Sequence, residues 1–431
     1  MNALMPPETE DVAQQLDRAQ KDYSDFAARK LNLDLTRGKP SPEQLDLSND
    51  LLRLPDTLYK SSAGTDCRNY GGPEGLPELR ELFADILQVP ASQLMAGGNS
   101  SLELMHDTLT HAFFSKMPGS GRRWLEEREI RFLCPTPGYD RHFALTHNFG
   151  IKMTSVPLTA EGPDLDTVQS LVRSDPSIKG IWCVPLYSNP TGGCYSAHTV
   201  QRLAEMECAA PDFRIFWDNA YAVHHLTDEE LVAPNIIDAC RMAGVPDRPF
   251  VFGSTSKITF AGSGIGFFGA SEENFQWFRA QQSLKTIGPD KLNQLRHLLF
   301  LQDTNGLKAH MRKHREILKP KFAMVEQVFR QELAGLARWT TPKGGYFVTL
   351  EVPRGCAGTV VRLAAEIGIA LTPAGATHPY GMDPQDSTLR IAPTYPNSDE
   401  LKAALIGVTI CVRLAAYQST AQGIKPEGAT R

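Results

Sequence analysis

The chain lacks any C-x-x-C pair, although it holds eight cysteines: Cys67, Cys134, Cys183, Cys194, Cys208, Cys240, Cys356 and Cys411. Most sit singly in apolar segments. That excludes a zinc ribbon or a disulfide framework and fits reduced core thiols, with no metal expected. Also missing is an uninterrupted apolar stretch long enough to span a bilayer. The opening residues, M-N-A-L-M-P-P-E-T-E, carry neither the basic region nor the apolar run of a secretory signal. A cytoplasmic protein without membrane contact is therefore the expectation. Positive charge is in deficit: 44 Lys and Arg against 49 Asp and Glu leave a formal charge of -5. Such a balance argues against a nucleic-acid partner but leaves room for one anionic ligand in a basic pocket. No G-x-G-x-x-G fingerprint follows a strand in the glycine-rich segment 69–80, which removes the nicotinamide reading. No internal repeat is present.

What remains is an ordinary globular composition, 42% hydrophobic and 22% charged over 431 residues, enough for two domains. Helical periodicity runs over 11–29, 76–87, 102–114, 139–149, 164–173, 196–209, 359–367 and 399–416. A helical stretch over 272–301 is interrupted at Gly288-Pro289, and a long one over 309–333 can break at Pro320. Strand-like runs fall at 94–98, 130–133, 152–157, 181–185, 214–217, 250–253, 344–350, 370–375 and 389–393. The polar tail after Thr420 reads as disordered. Alternation of strand and helix from about 65 to 300 predicts an α/β fold with a large, mostly parallel central sheet, followed by a smaller α/β domain. The expected division is 1–60 as N-terminal arm and part of the small domain, 61–308 as the large ligand-binding domain, and 309–431 as the C-terminal small domain.

Candidate site residues cluster at strand ends. In V-F-G-S-T-S-K-I-T-F-A-G-S-G-I-G-F-F-G-A, residues 251–270, Lys257 follows Ser254, Thr255 and Ser256 and precedes a run of glycines. Small residues leave room for a bulky ligand, and a lysine on an apolar background is a candidate amine for condensation with a carbonyl. Taken alone, a lysine in an ordinary surface turn fits equally well. Gly97-Gly98-Asn99-Ser100 joins a short apolar run to a helix, the architecture of an anion cradle. Tyr139 and Asn189 sit in loops just past strands, the first placed to stack on a flat ring. Asp218, at the end of another strand, has Tyr221 three residues on. Arg390 lies in the second domain and faces a cleft only if that domain folds back. One amine, one strand-end carboxylate, an aromatic, an anion cradle and a distant arginine together suit pyridoxal 5'-phosphate, whose ring nitrogen needs a carboxylate and whose phosphate needs an anchor. The arginine can fork onto a substrate α-carboxylate.

L-T-R-G-K-P-S-P (35–42 within L-D-L-T-R-G-K-P-S-P), N-Y-G-G-P-E-G, D-N-A-Y, S-T-S-K-I-T-F-A-G and I-G-P-D-K-x-N-Q-L-R-H recur together in one family. On these motifs the chain resembles the fold-type I pyridoxal-phosphate-dependent aminotransferases, most closely a divergent bacterial aspartate aminotransferase-like subgroup, over roughly residues 20–420. The resemblance implies that Lys257 is the imine lysine and acid–base, that Asp218 pairs with the pyridine nitrogen, and that Asn189 and Tyr221 hold the ring 3'-oxygen. It implies that Tyr139 stacks on the ring, that Asn99, Ser100, Ser254 and Ser256 bind phosphate, and that Arg390 binds the α-carboxylate. Gly38 would lie where the N-terminal segment closes over substrate. Tyr70 would reach the phosphate of the neighbouring subunit, implying a homodimer with shared sites. One departure is visible: familiar members have a phosphate-gripping arginine eight residues past the lysine, where this chain has Ile265, so that another group such as Ser263 must compensate. The distal substrate carboxylate has five candidate partners, Arg37, Arg141, Lys285, Lys291 and Arg296, each of which can equally be a surface charge. The implied activity is transamination between an L-amino acid, with L-aspartate expected, and 2-oxoglutarate. A kynurenine-type or broad-specificity aminotransferase is the close alternative and a lyase a more distant one. A ligand-sensing regulator would need a helix-turn-helix module, for which the residues before Arg37 leave little room. A scaffold role would predict no imine.

Overall fold

Strand runs that are apolar at nearly every position need cover on both faces. The computed structural model, which describes residues 9–422, provides it. Eight strands form one sheet in the edge-to-edge order Leu94–Gly97, Gly266–Ala270, Pro249–Ser254, Arg214–Asp218, Ile178–Cys183, Arg131–Thr136, Lys152–Thr159 and Gly162–Pro163. The four pairings from Pro249–Ser254 across to Lys152–Thr159 are parallel; Gly266–Ala270 pairs antiparallel with both its neighbours. Alternate residues feed two cores. Phe132, Phe216, Phe250, Phe252 and Phe268 pack on one side, and Leu133, Ile181, Ile215, Trp217 and Val251 on the other. The strand ends at Gly97, Thr136, Cys183, Asp218 and Ser254 consequently lie along one carboxyl edge, where open α/β sheets place their ligands.

The remaining strands form a three-stranded antiparallel sheet, Arg338–Trp339, Val348–Glu351 and Thr388–Ile391, and a two-stranded parallel one. In the latter, Leu33–Asp34 pairs with Ile369–Ala370, so the start of the chain is sewn to its end. Helices Thr9–Ala27 and Ser398–Ala421 extend this union, with Phe26 packed against Gly407. Helix continues to Ala421, one residue past Thr420; the rest of the tail expected to be disordered, residues 423–431, lies outside the described residues, as does the opening segment 1–8.

Two expectations are corrected, and one helix is added to those expected. The helix over Thr304–Leu333 is a single element despite Pro320. Tertiary packing outweighs the lost N–H: the neighbouring Lys321 ammonium is buried and donates to the carbonyls of Thr394 (3.0 Å) and Pro396 (2.7 Å). Of the strand expected over 370–375, only Ala370 pairs, and the following Leu371–Gly375 segment is irregular. A short helix, Ile236–Met242, capped by the Asn235 side chain on the Asp238 N–H, was not legible as a periodic pattern.

Burial leaves several histidines uncharged. His224 and His314 are pushed down to about 3, and His111 and His297 to about 4, in each case first by desolvation. Unfolded, each would titrate near 6.5. The unfolded chain therefore binds more protons below that value, and the stability held above pH 6.5 is lost as pH falls towards 4. Each histidine contributes up to about 1.4 kcal/mol per pH unit. Scanning calorimetry should find the melting temperature about 10 °C lower at pH 5 than at pH 7. A flat profile across that window, which lies above the ordinary carboxylate range, would contradict the burial of these rings.

Candidate functional site

Five loops leaving the carboxyl edge converge on one cleft that encloses about 350 Å³ of atom-free space, part of it open to solvent. Ser101, Tyr139, Asn189, Asp218, Tyr221 and Lys257 line it. The Lys257 amine sits 5.0 Å from the centre of the Tyr221 ring and makes no hydrogen bond among the described residues. Burial lowers its pKa from the usual lysine value, opposed by the charge of Asp218. The lysine's own carbonyl is pinned by His224 Nε2 at 3.2 Å and by the Tyr346 hydroxyl at 3.4 Å. Tyr139 and Tyr221 both have their hydroxyl pKa pushed up, first by burial, which keeps them neutral hydrogen-bond donors.

Asp218 Oδ2 accepts from His142 Nε2 at 3.0 Å, whereas its Oδ1 is buried without a partner. A buried carboxylate oxygen left unpaired is costly, and Asp218 is one of the residues lining the cleft. The amide oxygen of Asn189 is likewise buried and unpaired. His142 was not singled out from sequence, although it follows Tyr139 at helical spacing on Asp140–Asn148. Its ring stacks on Trp182 (centroids 4.3 Å apart, 11° between planes). Trp182 Nε1 in turn donates to the Thr146 hydroxyl, which donates to the His142 carbonyl. That closed loop fixes the imidazole against Asp218.

In the segment read as an anion cradle, two of the expected groups already have partners within the chain. Ser100 is the N-cap of helix Ser101–Phe114, its hydroxyl accepting from the Glu103 N–H. The Asn99 N–H is taken by the Glu103 carboxylate at 2.7 Å. The unpaired N–H groups of the first helical turn are thus left to Ser101 and its neighbours; Ser101, missed from sequence, lines the cleft. Ile265 is a core residue whose N–H bonds the Thr255 hydroxyl at 3.0 Å. Its neighbour Gly264 is the residue at the cradle. A Cβ there would meet the Asn99 carbonyl at 2.8 Å and Ser256 Oγ at 3.3 Å, so the loop needs glycine to close. Ser263 is engaged with Asn293 Oδ1 at 3.2 Å.

Arg390 does fold back. Its Nη1 meets Asp140 Oδ1 at 2.6 Å, its Nη2 donates to the Thr372 hydroxyl at 3.3 Å, and its guanidinium stands 4.9 Å from the Phe347 ring. Gly38 lies against that same ring, leaving no space for a side chain: a Cβ would fall 2.0 Å from Phe347 Cζ. Tyr70 is 76% exposed and is not among the residues lining the cleft.

Of the five distal-carboxylate candidates, four are engaged. Arg37 pairs with Asp34 at 2.8 Å, and Lys285 with Asp107 at 2.7 Å. Lys291 donates to the Gly71 carbonyl and Arg296 to that of Leu54. Arg141, exposed and adjacent to Asp140, has no hydrogen-bond or ion-pair partner among the described residues, and its charge reaches the Tyr139 hydroxyl. Among the described residues no group of three His, Cys, Asp or Glu side chains is arranged to hold a metal, and no helix is long and apolar enough to cross a membrane.

With that geometry in view, the comparisons are informative. Residues 6–423 match the family model described as aspartate amino-transferase. A protein of Mycolicibacterium smegmatis, provisionally named an aminotransferase, is 51% identical over 95% of this chain and 97% of its own length. An aspartate aminotransferase of Corynebacterium glutamicum is 47% identical over 92% of each. The crystal structure of an aspartate transaminase from Corynebacterium glutamicum superposes with a TM-score of 0.94 at 44% identity, covering 97% of this chain and 99% of the other.

Proposed function

The chain belongs to the aspartate aminotransferase family of fold-type I pyridoxal-phosphate-dependent enzymes, and from that premise we propose that it transfers the amino group of L-aspartate to 2-oxoglutarate, giving oxaloacetate and L-glutamate. The observation that carries the proposal is the pair of cations whose charges both reach the hydroxyl of cleft-lining Tyr139: Arg390, already holding the Asp140 carboxylate, and Arg141 next to Asp140, without a partner among the described residues. A dicarboxylate needs two such partners.

The residues present fit pyridoxal phosphate. A free buried amine, an orphaned carboxylate oxygen and a glycine-built helix N-terminus are the three fittings it requires. Bound there, the cofactor supplies an aldehyde for the substrate amine and a ring that draws electrons from the substrate Cα. Lys257 Nζ would hold the cofactor's aldehyde carbon in the resting enzyme and, once the substrate amine replaces it there, would be the free base that moves a proton from the substrate Cα. Asp218, oriented by His142, faces the ring nitrogen. Tyr221 and Asn189 would hold the cofactor's 3'-oxygen, and Tyr139 would pack on its ring. The phosphate would fall to Asn99, Ser100, Ser254 and Ser256 around Gly264, with the N–H groups at Ser101 beside them. Arg390 takes the α-carboxylate beside Gly38, with Asn189 within the same substrate pocket. The proposed large domain is 61–308, flanked by 1–60 and 309–431. We place the protein in the cytoplasm, in keeping with its eight free thiols.

A homodimer completes the proposal. The Gly71 backbone lies against Gly288, and the residues next to them, Tyr70 and Ile287, expose 76% and 64% of their surface, large apolar side chains of the sort partners cover. Tyr70 of the partner subunit would reach the phosphate.

A donor panel with 2-oxoglutarate tests the substrate choice: preference for aspartate supports it, and preference for aromatic or aliphatic donors overturns it. Arg141→Gln should raise KM for aspartate and 2-oxoglutarate about 10- to 100-fold, the worth of one charged hydrogen bond, while leaving KM for alanine within twofold. An equal rise for alanine would remove Arg141 from the distal position.

A further inference from the structure

Asp140 is the residue the family chemistry leaves unexplained. It is the first residue of helix Asp140–Asn148, 250 positions from Arg390 in sequence, yet its carboxylate meets the guanidinium at 2.6 Å. The guanidinium side chain is only 8% exposed, while Asp140 keeps 30%. An arginine buried against Phe347 with no anion would be a stranded cation, which is expensive. The chain therefore supplies one. The carboxylate is of the same chemical kind as the group that Arg390 receives from substrate.

We propose that Asp140 is an internal stand-in for the substrate α-carboxylate, holding Arg390 in the empty enzyme and giving up its Nη1 bond when substrate arrives. This rests on the aminotransferase reading and adds to it a determinant of affinity. Three features make the exchange workable. Thr372 stays on Nη2, so the guanidinium keeps its place while Nη1 changes partner. Asp140 is partly open to water and stands in the first turn of a helix, where a displaced carboxylate is still favoured by the unpaired N–H groups. Arg390 Nη1 and Nη2 are the end-on pair onto which a carboxylate can fork, and Asp140 occupies only the first of them. Every carboxylate substrate must then compete with Asp140, and apparent affinity is reduced by the fraction of enzyme in which the bond is open.

The test uses holoenzyme carrying Asp140→Asn, which keeps the shape and removes the charge, with Asp140→Ala as a second variant. Dissociation constants of two unreactive ligands, maleate and propionate, are read from the cofactor absorbance, alongside KM and kcat for aspartate and 2-oxoglutarate. Both ligands should bind about tenfold tighter to the variants, as expected when about a tenth of the wild-type population is open. KM should fall by the same factor with kcat not increased. The ligand-free variants should melt lower than wild type and recover the deficit with saturating maleate. Unchanged or weaker binding would overturn the proposal by making Asp140 a support that orients Arg390. A gain larger for maleate than for propionate would also overturn it, because simple repulsion scales with ligand charge whereas a vacated donor does not. If wild-type holoenzyme transfers no amine from any donor, the aminotransferase reading fails instead, and the binding constants still decide the role of Asp140.

Discussion

Lys257→Ala should lower turnover by at least about 10⁴-fold, the upper range of what one proton-transferring side chain contributes, and should leave the cofactor unattached. Among the described residues its amine is the one lysine amine lining the cleft, so no described neighbour can take over either task. The fold should survive. His224 and Tyr346 bond to the main-chain carbonyl at position 257, which alanine retains. Removing an amine whose pKa burial has already lowered takes away a desolvation penalty and no hydrogen bond. The melting temperature should therefore stay level or rise while activity disappears, a separation that a structural lysine would not give. Intact mass after borohydride reduction gives the direct measurement. Wild-type protein should gain the mass of one reduced cofactor, and the variant none. An adduct persisting at another lysine would defeat the assignment.

The parts of this site legible in the sequence are those set by strand geometry. Asp218, Asn189, Tyr139 and Lys257 each follow an apolar run, and parallel strands must deliver their ends to one edge. Local pattern could not reveal the partners that polar groups choose across the fold. Lys291 and Arg296 look like available cations in I-G-P-D-K-L-N-Q-L-R-H, but they spend their charge on the carbonyls of Gly71 and Leu54, more than two hundred residues away in sequence. The Asp140–Arg390 pair is hidden for the same reason. Counting eight residues from Lys257 pointed to Ile265, yet the three-residue turn Ala261–Ser263 puts Gly264 at the cradle and sends Ile265 into the core. Pro320 shows the converse: a strong local breaker is overruled because its helix is held along its length by packing and by Lys321.

Asp218→Asn should cost on the order of 10²- to 10³-fold in turnover, in line with the loss of one preorganised electrostatic contact, and it should do so without unfolding the protein. The reason lies in the two oxygens. Oδ2 is satisfied by His142, held by Trp182 and Thr146, and an asparagine oxygen can keep that bond. Oδ1 has no partner among the described residues. In the variant an N–H would stand there instead. It would face the protonated ring nitrogen as donor against donor, and so favour loss of that proton and of the ring's pull on electrons. Without cofactor the balance reverses. An orphaned buried charge costs more than an orphaned buried amide, so ligand-free Asp218→Asn should melt at or above the wild-type temperature. Added cofactor should stabilise the wild type by more degrees than the variant. Calorimetry with and without pyridoxal phosphate, beside steady-state turnover, reads both halves. Turnover within threefold of wild type, or a lower ligand-free melting temperature, would mean that Asp218 is there to hold the sheet edge together and not to meet a ring nitrogen.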